Sequence, residues 1–366
     1  MAWLQLNSRA RLSWDDVTRG KTGADATAFE QSVLRFCHEW LQGAETFSLQ
    51  TSGSTGAPKT IAATRQQLIA SIERSQEAIG FRAGETALLA LHPDYVAGKV
   101  MLARCLHAGL SVVAVEPSSN PLRSIAPNIP IDFTALVPLQ LQTILDSEDA
   151  IRLERIRNVL IGGADVSEAV RARLTRFENT IYLTYGMTET LTHIALQRLN
   201  VPTPARIFTT LPHIGISTDD RGCLVAEADY FPDGRVTTND LIEIISTTRF
   251  VWLGRWDHVI NTGGIKVIPE RIEPKIQQAF EQRDLPYRFF VGGLPHDRLG
   301  EEVTLLVEGK PWSASEQMLL IREMEERLGR FEVPRSIRFV ERFVETANQK
   351  INRKETINAV ISLPNL

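Results

Sequence analysis

The residues able to do chemistry in this chain fall into four short stretches. The first, TSGSTGAPK at 51–59, holds two serines, two threonines, two glycines and a lysine in nine residues. Thr51, Ser52, Ser54 and Thr55 offer hydroxyls, and Lys59 offers a point cation. Gly53 and Gly56 free the backbone to approach an anion. Hydroxyls, open N–H groups and one cation are what polyphosphate oxygens require. The loop is not a Walker A motif, because the Gly-x4-Gly-Lys-Ser/Thr spacing is absent. The second stretch is YGMTE at 185–189, directly after an apolar run. Here Tyr185 and Gly186 lead into the hydroxyl of Thr188 and the carboxylate of Glu189, which suits a hard cation such as Mg2+. The third pairs Asp240, in TTND, with GRWDHVINTGGIKVIPERIE at 254–273. Asp240 can accept both hydroxyls of a ribose, and Arg255 can donate to a sugar or phosphate. Gly263 and Gly264 allow a tight turn with its backbone open to a ligand. The fourth is NQKINR at 348–353, where Lys350 is a point cation on an expected loop.

The elements that must position these residues show in the apolar pattern. Between 60 and 190, short β-branched runs (86–91, 111–115, 133–137, 158–161, 181–184) alternate with amphipathic stretches (66–79, 99–107, 139–146, 168–177). Ser167 is placed to cap the last of these helices. Strands alternating with helices at this spacing predict βαβ units and a mostly parallel sheet covered on both faces. The segment YGMTE then sits at the C-terminal end of a strand, where open α/β sheets bind ligands. From about 200, Gly, Pro, Asp and Thr become frequent, and short strands (222–226, 234–238, 241–245, 250–253) are separated by turn signals. This predicts a mainly antiparallel, β-rich subdomain. Helices at 270–282 and 314–328, with strands at 287–292, 303–307 and 336–340, predict a small α+β domain. The boundary falls at about 254–258, giving a large domain 1–254 and a small domain 255–366.

The composition excludes several classes. The chain has 366 residues, 43% hydrophobic and 23% charged, which is ample for a packed core. Its net charge of -4 argues against bulk nucleic-acid binding. No apolar run reaches the roughly 20 residues of a membrane span, and the N-terminus lacks a signal pattern. Three scattered cysteines, Cys37, Cys105 and Cys223, read as reduced thiols in a cytoplasmic protein. The sequence leaves an oligomer open.

The four stretches, in this order from about 48 to 357, resemble the ANL family of adenylate-forming enzymes. The resemblance implies α/β architecture: a large N-terminal domain with parallel αβα sheets plus a β-rich subdomain, and a small mobile α+β C-terminal domain. It implies ATP, Mg2+ and coenzyme A as the small molecules handled. By position, Thr51, Ser52, Gly53, Ser54, Thr55, Gly56 and Lys59 would hold the β- and γ-phosphates. Glu189 would bind Mg2+, and Thr188 the α-phosphate. The segment IGGAD supplies Gly162, Gly163 and Ala164, which would border the adenine and acyl sites beside Tyr185 and Gly186. Asp240 and Arg255 would hold the ribose, and Asp257 would be the hinge. Lys350 would bridge carboxylate and α-phosphate in the first half-reaction. Gly263 and Gly264 would line the thiol tunnel in the second. Thr60, Asn239, Arg271 and Gln349 depart from the family's usual residues, while the charged and hydroxyl positions survive. The phosphate loop starts at 51, far earlier than in most relatives, so the large domain is expected to be trimmed at its N-terminus, with part of its outer layer missing or remodelled.

Segments 91–109, 135–145, 158–166 and 185–196 are similar to the o-succinylbenzoate–CoA ligase branch of that family. This implies o-succinylbenzoate as the acid and a place in menaquinone biosynthesis. The alternatives are another aryl- or acyl-CoA ligase, or an adenylation protein loading a carrier-protein thiol. Tyr95 stands where many relatives place an aromatic gate histidine. The acid has a second carboxylate, which needs a cationic or hydrogen-bonding partner. Candidates are Lys99, Arg104, Thr192 and His193.

Overall fold

The structure, a computed structural model, describes residues 2–21, 25–50, 60–201, 206–346 and 350–362. Its spine is one sheet of 13 strands. One half is parallel, in the spatial order Trp3–Leu6, Ser111–Ala114, Thr86–Leu89, Phe133–Leu136, Asn158–Ile161 and Thr180–Gly186. Every residue of Thr86–Leu89, Ser111–Ala114 and Asn158–Ile161 is buried. Strands buried on both faces read as unbroken apolar runs, which is why they stand out in the sequence. The helices between them start where the chain supplies caps. Ser167 Oγ accepts from Val170 N at the head of Glu168–Leu174, and Thr64 caps Arg65–Ile79 with a capping box.

At His193–Arg198 the sheet turns antiparallel and continues through Ile207–Thr210, Arg249–Arg255, Arg235–Ser246, Cys223–Glu227 and Gly215–Thr218. The β-rich part expected after residue 200 is therefore a hydrogen-bonded continuation of the parallel half. The two strands expected at 234–238 and 241–245 are one strand, Arg235–Ser246. The polar Asn239 and Asp240 interrupt its apolar run, so the sequence reads as two pieces, and the register shifts fall further on, at Leu241/Ile242 and Ile244/Ser246. The first 50 residues, left unassigned by the sequence reading, add the parallel edge Trp3–Leu6 and the helix Ala28–Leu41, whose Thr27 and Glu30 form a capping box. The hairpin Thr46–Gln50 and Thr60–Thr64 flanks residues 51–59, which lie outside the described residues.

One hydrophobic cluster runs from Leu4 to Phe250 and a second from Ile260 to Ile337. The second packs the helices Pro269–Gln282 and Ala314–Arg327 against a five-stranded sheet. Between the clusters the chain passes through a short turn, Trp256–His258. Cys37, Cys105 and Cys223 are buried free thiols, and burial pushes the thiol pKa values of all three up. Among the described residues no helix is long and apolar enough to cross a membrane.

Candidate active site

A cavity of about 360 Å3 opens at the C-terminal ends of Asn158–Ile161 and Thr180–Gly186. Gly163 and Ala164 line it from the loop after the first strand, and Tyr185 and Gly186 from the end of the second. Asp240 and Trp252 enter from the antiparallel half, and Lys350 from the far end of the sequence. The structure thus gathers seven of these residues into one cleft, six of which the motifs single out. Glycine is required at its rim. A Cβ on Gly186 would lie 2.4 Å from the Thr192 carbonyl oxygen and 2.5 Å from His193 Cα. Gly163 has φ +95°, a left-handed conformation that glycine takes without strain.

Asp240 is the electrostatic centre. It lies directly opposite Arg255 on paired strands, and its own residue is 6% exposed. Tyr185 Oη donates to its Oδ2 at 2.6 Å and Trp252 Nε1 to its Oδ1 at 3.1 Å. Arg255 Nη1 stands 3.8 Å from the same Oδ1. Burial, then the Asp240 charge, drives the Tyr185 hydroxyl well above its ordinary pKa, so it stays a donor. The other edge of Arg255 donates to the exposed Asp257, from Nε at 2.9 Å and from Nη2 at 3.1 Å. Burial works to raise the Asp257 carboxyl, but the guanidinium outweighs it and the net shift is downward.

Lys350 Nζ donates to the Gly163 carbonyl at 2.5 Å. Its backbone carbonyl accepts from Thr346 N, and Glu345 bridges to Ile351, so the lysine sits on a pinched turn. Burial lowers the pKa of its ammonium. Asn348 and Gln349 lie outside the described residues, as do Thr51, Ser52, Gly53, Ser54, Thr55, Gly56 and Lys59.

The remaining candidate residues are not among those that line the cleft. Thr188 and Glu189 form a short turn after Gly186, with Glu189 exposed. Thr190 Oγ1 ties this turn by donating to the Met187 and Thr192 carbonyls. Leu191 is held at φ +65°, a strained conformation for a side chain with a Cβ. Gly162 packs so closely that a Cβ would lie 2.9 Å from Thr184 Oγ1. Gly263 and Gly264, at φ +60° and +84°, make the turn between Ile260–Thr262 and Ile265–Val267. Thr192 and His193 face the helix Arg65–Ile79, with Thr192 Oγ1 2.6 Å from Ser71 Oγ and His193 Nε2 3.1 Å from Ser75 Oγ. Burial, aided by the nearby Arg104 charge, depresses His193 to about 3, so it is neutral. Tyr95 is 56% exposed at the start of Val96–Ala108. Lys99 Nζ donates to the Ser48 carbonyl at 2.6 Å, tying that helix to the hairpin ahead of 51–59.

Arg104 is the notable side chain outside the motifs. It is 3% exposed, lies over the Phe133 ring at 5.8 Å, and has no acidic partner within 4.0 Å among the described residues. Its Nε is buried without an acceptor, and Nη1 reaches only Met101 Sδ at 3.7 Å. Burial lowers its pKa to about 10, which still leaves it charged at neutral pH. Trp252 carried no signal in the sequence, since its role depends on standing across the sheet from Asp240.

Among the described residues no group of three or more His, Cys, Asp or Glu could hold a metal ion. The lone exposed carboxylate of Glu189 suits Mg2+, which binds through one or two carboxylates together with phosphates and water. The acceptor Asp240 with the donors Arg255 and Lys350 is a set suited to a sugar hydroxyl and a phosphate.

A mixed α/β sheet with an anion-ready cleft at its strand ends defines a nucleotide-handling enzyme. The chain belongs to the AMP-binding enzyme family, which it matches over residues 29–236. A probable 2-succinylbenzoate–CoA ligase of Mycobacterium tuberculosis is 30% identical over 275 residues, covering 70% of this chain and 69% of that protein. The crystal structure of an acyl-CoA synthetase (AMP-forming)/AMP-acid ligase II-like protein from Dyadobacter fermentans is similar at 34% identity. That match has a TM-score of 0.62 and covers 93% of this chain and 97% of that one. The o-succinylbenzoate coenzyme A synthetase of Bacillus subtilis, in complex with ATP and magnesium, shares the fold at 20% identity. Its TM-score is 0.69, over 84% of this chain and 69% of that one.

Proposed function

We propose that this chain activates o-succinylbenzoate with ATP and transfers the acyl group to coenzyme A. The observation that carries the reading is Lys350, which precedes Ile351 of the small Phe290–Leu306–Phe343 cluster and reaches Gly163 in the same cleft as Tyr185 and Asp240. A carboxylate and a triphosphate repel, so their reaction needs a cation where charge develops. Lys350 supplies that cation, and Asp240 and Arg255 hold the ribose. Glu189 holds Mg2+, which neutralises phosphate charge when bound. A carboxylate oxygen attacks the α-phosphorus and pyrophosphate leaves. The thiol sulfur then attacks the acyl carbon past Gly263 and Gly264, losing its proton as AMP leaves with the bonding pair.

Arg104 favours an acid with a second carboxylate. A buried guanidinium without an anion is costly, and a carboxylate partner would satisfy it. The buried free thiols fit a reducing cytoplasm.

Pyrophosphate release with Mg-ATP and o-succinylbenzoate, with and without coenzyme A, tests the reading beside benzoate, acetate and fatty acids. Selective turnover that requires coenzyme A is expected. Pyrophosphate release without coenzyme A consumption would point to carrier loading. Lys350→Ala should slow adenylate formation by about 10²–10³ while leaving thioester formation from preformed adenylate largely intact. Equal loss of both steps would remove Lys350 from its assigned role.

A further inference from the structure

Arg255 is shared between two carboxylates of different character. Asp240 is buried and already accepts from Tyr185 and Trp252. Asp257 is exposed and makes the two short bonds to Arg255, at 2.9 and 3.1 Å. Asp257 belongs to the turn that joins the two hydrophobic clusters, whereas Asp240 belongs to the sheet of the first. The neighbouring Trp256 is also held from both sides. Its ring lies 6.0 Å from the Arg221 guanidinium, in the first cluster's sheet region, and 4.6 Å from Lys266 Nζ, in the second's. Arg221 is itself fixed to Asp219, Asn239 and the Thr238 carbonyl, two residues before Asp240.

We propose that Asp257 is a positioning residue that stands in for a ligand on Arg255, so that nucleotide binding at Asp240 and release of the connecting turn are coupled. This rests on the nucleotide-binding reading above. A guanidinium has five N–H donors in a fixed plane, and here the Nε/Nη2 edge is taken by Asp257 while Nη1 faces Asp240. A nucleotide that recruits Arg255 toward Asp240 must compete with Asp257. Whatever the nucleotide gains from Arg255, the turn loses in anchorage. Coupling of this kind is reciprocal: holding the turn in place weakens the nucleotide by the same factor.

The test is AMP binding by calorimetry to the full chain and to Asp257→Asn, Arg255→Met and the double variant. The coupling predicts that Asp257→Asn binds AMP about fivefold tighter, within the usual range for coupled sites. It also predicts that Arg255→Met and the double variant bind alike. Simple removal of a nearby negative charge would instead tighten binding equally in both backgrounds, and that result overturns the proposal. So does unchanged or weaker AMP binding by Asp257→Asn. A second readout is the distance between labels on the two hydrophobic units. AMP should shift it in the wild type and leave it unshifted in Asp257→Asn; an equal AMP-induced shift in both overturns the coupling. Absence of AMP binding by the wild type would overturn the nucleotide reading as well, which separates the two failures.

Discussion

Arg104 and His193 show how strongly single residues in this core are charged with something other than stability. Arg104 places a cation with no acidic partner among the described residues in an apolar core, an arrangement that usually destabilises a fold. Arg104→Met should therefore leave thermal stability unchanged or raise it. If the second carboxylate of the acid meets this guanidinium, the same variant should lower kcat/KM for o-succinylbenzoate by at least about tenfold and spare benzoate. A fall in both stability and activity toward every acid would make Arg104 structural. His193 carries a pH prediction. Its folded pKa is depressed to about 3 by burial, while in the unfolded chain it titrates near 6.5. Between these values the unfolded state binds the extra proton, so the His193 contribution falls as pH drops below about 6.5. Denaturant unfolding at pH 7.5 and pH 5 should show a smaller acid loss in His193→Asn than in the wild type.

At the scale of elements, the return from Thr180–Gly186 into His193–Arg198 joins the parallel and antiparallel halves of the sheet. Gly186 lets the two backbones approach there, and Gly186→Ala would drive a methyl into the Thr192 carbonyl. The variant should lose about 1–3 kcal/mol in a urea titration and open the cleft at its rim. Much of this architecture was legible in the sequence. The buried strands of the parallel half announced themselves as apolar runs, and Ser167 marked its helix. The continuity of the sheet was not legible, because strand pairing across halves leaves no local trace. The strand Arg235–Ser246 reads as two because the polar Asn239 and Asp240 interrupt its apolar run. The motifs exposed Tyr185, Gly186, Asp240, Arg255 and Lys350. Arg104 stood only as one of four candidates for the second carboxylate, since tertiary packing alone shows that it lacks an acidic partner among the described residues. Trp252 was silent for the same reason.

Two large hydrophobic clusters are joined by one short turn, and Lys350, next to Ile351 on a small third cluster of Phe290, Leu306 and Phe343, rests on the Gly163 carbonyl of the first cluster's sheet region. Asp257→Pro fixes the backbone in that turn. If thioester formation needs the clusters to reorient, this variant should slow it far more than adenylation, as rapid-quench measurement of each half-reaction would show. An unchanged ratio of the two rates would speak against reorientation. The distribution of sulfur has its own use. All three cysteines lie in the part of the chain built on the 13-stranded sheet, each buried and disfavoured as thiolate. Alkylating reagents attack thiolates, so the folded protein should be almost inert to them. Each modified cysteine would then count an opening of the larger unit, whereas the smaller one contains no cysteine and stays silent. The chain thus carries a native clock for the breathing of one half of the molecule, readable by mass spectrometry without an introduced label.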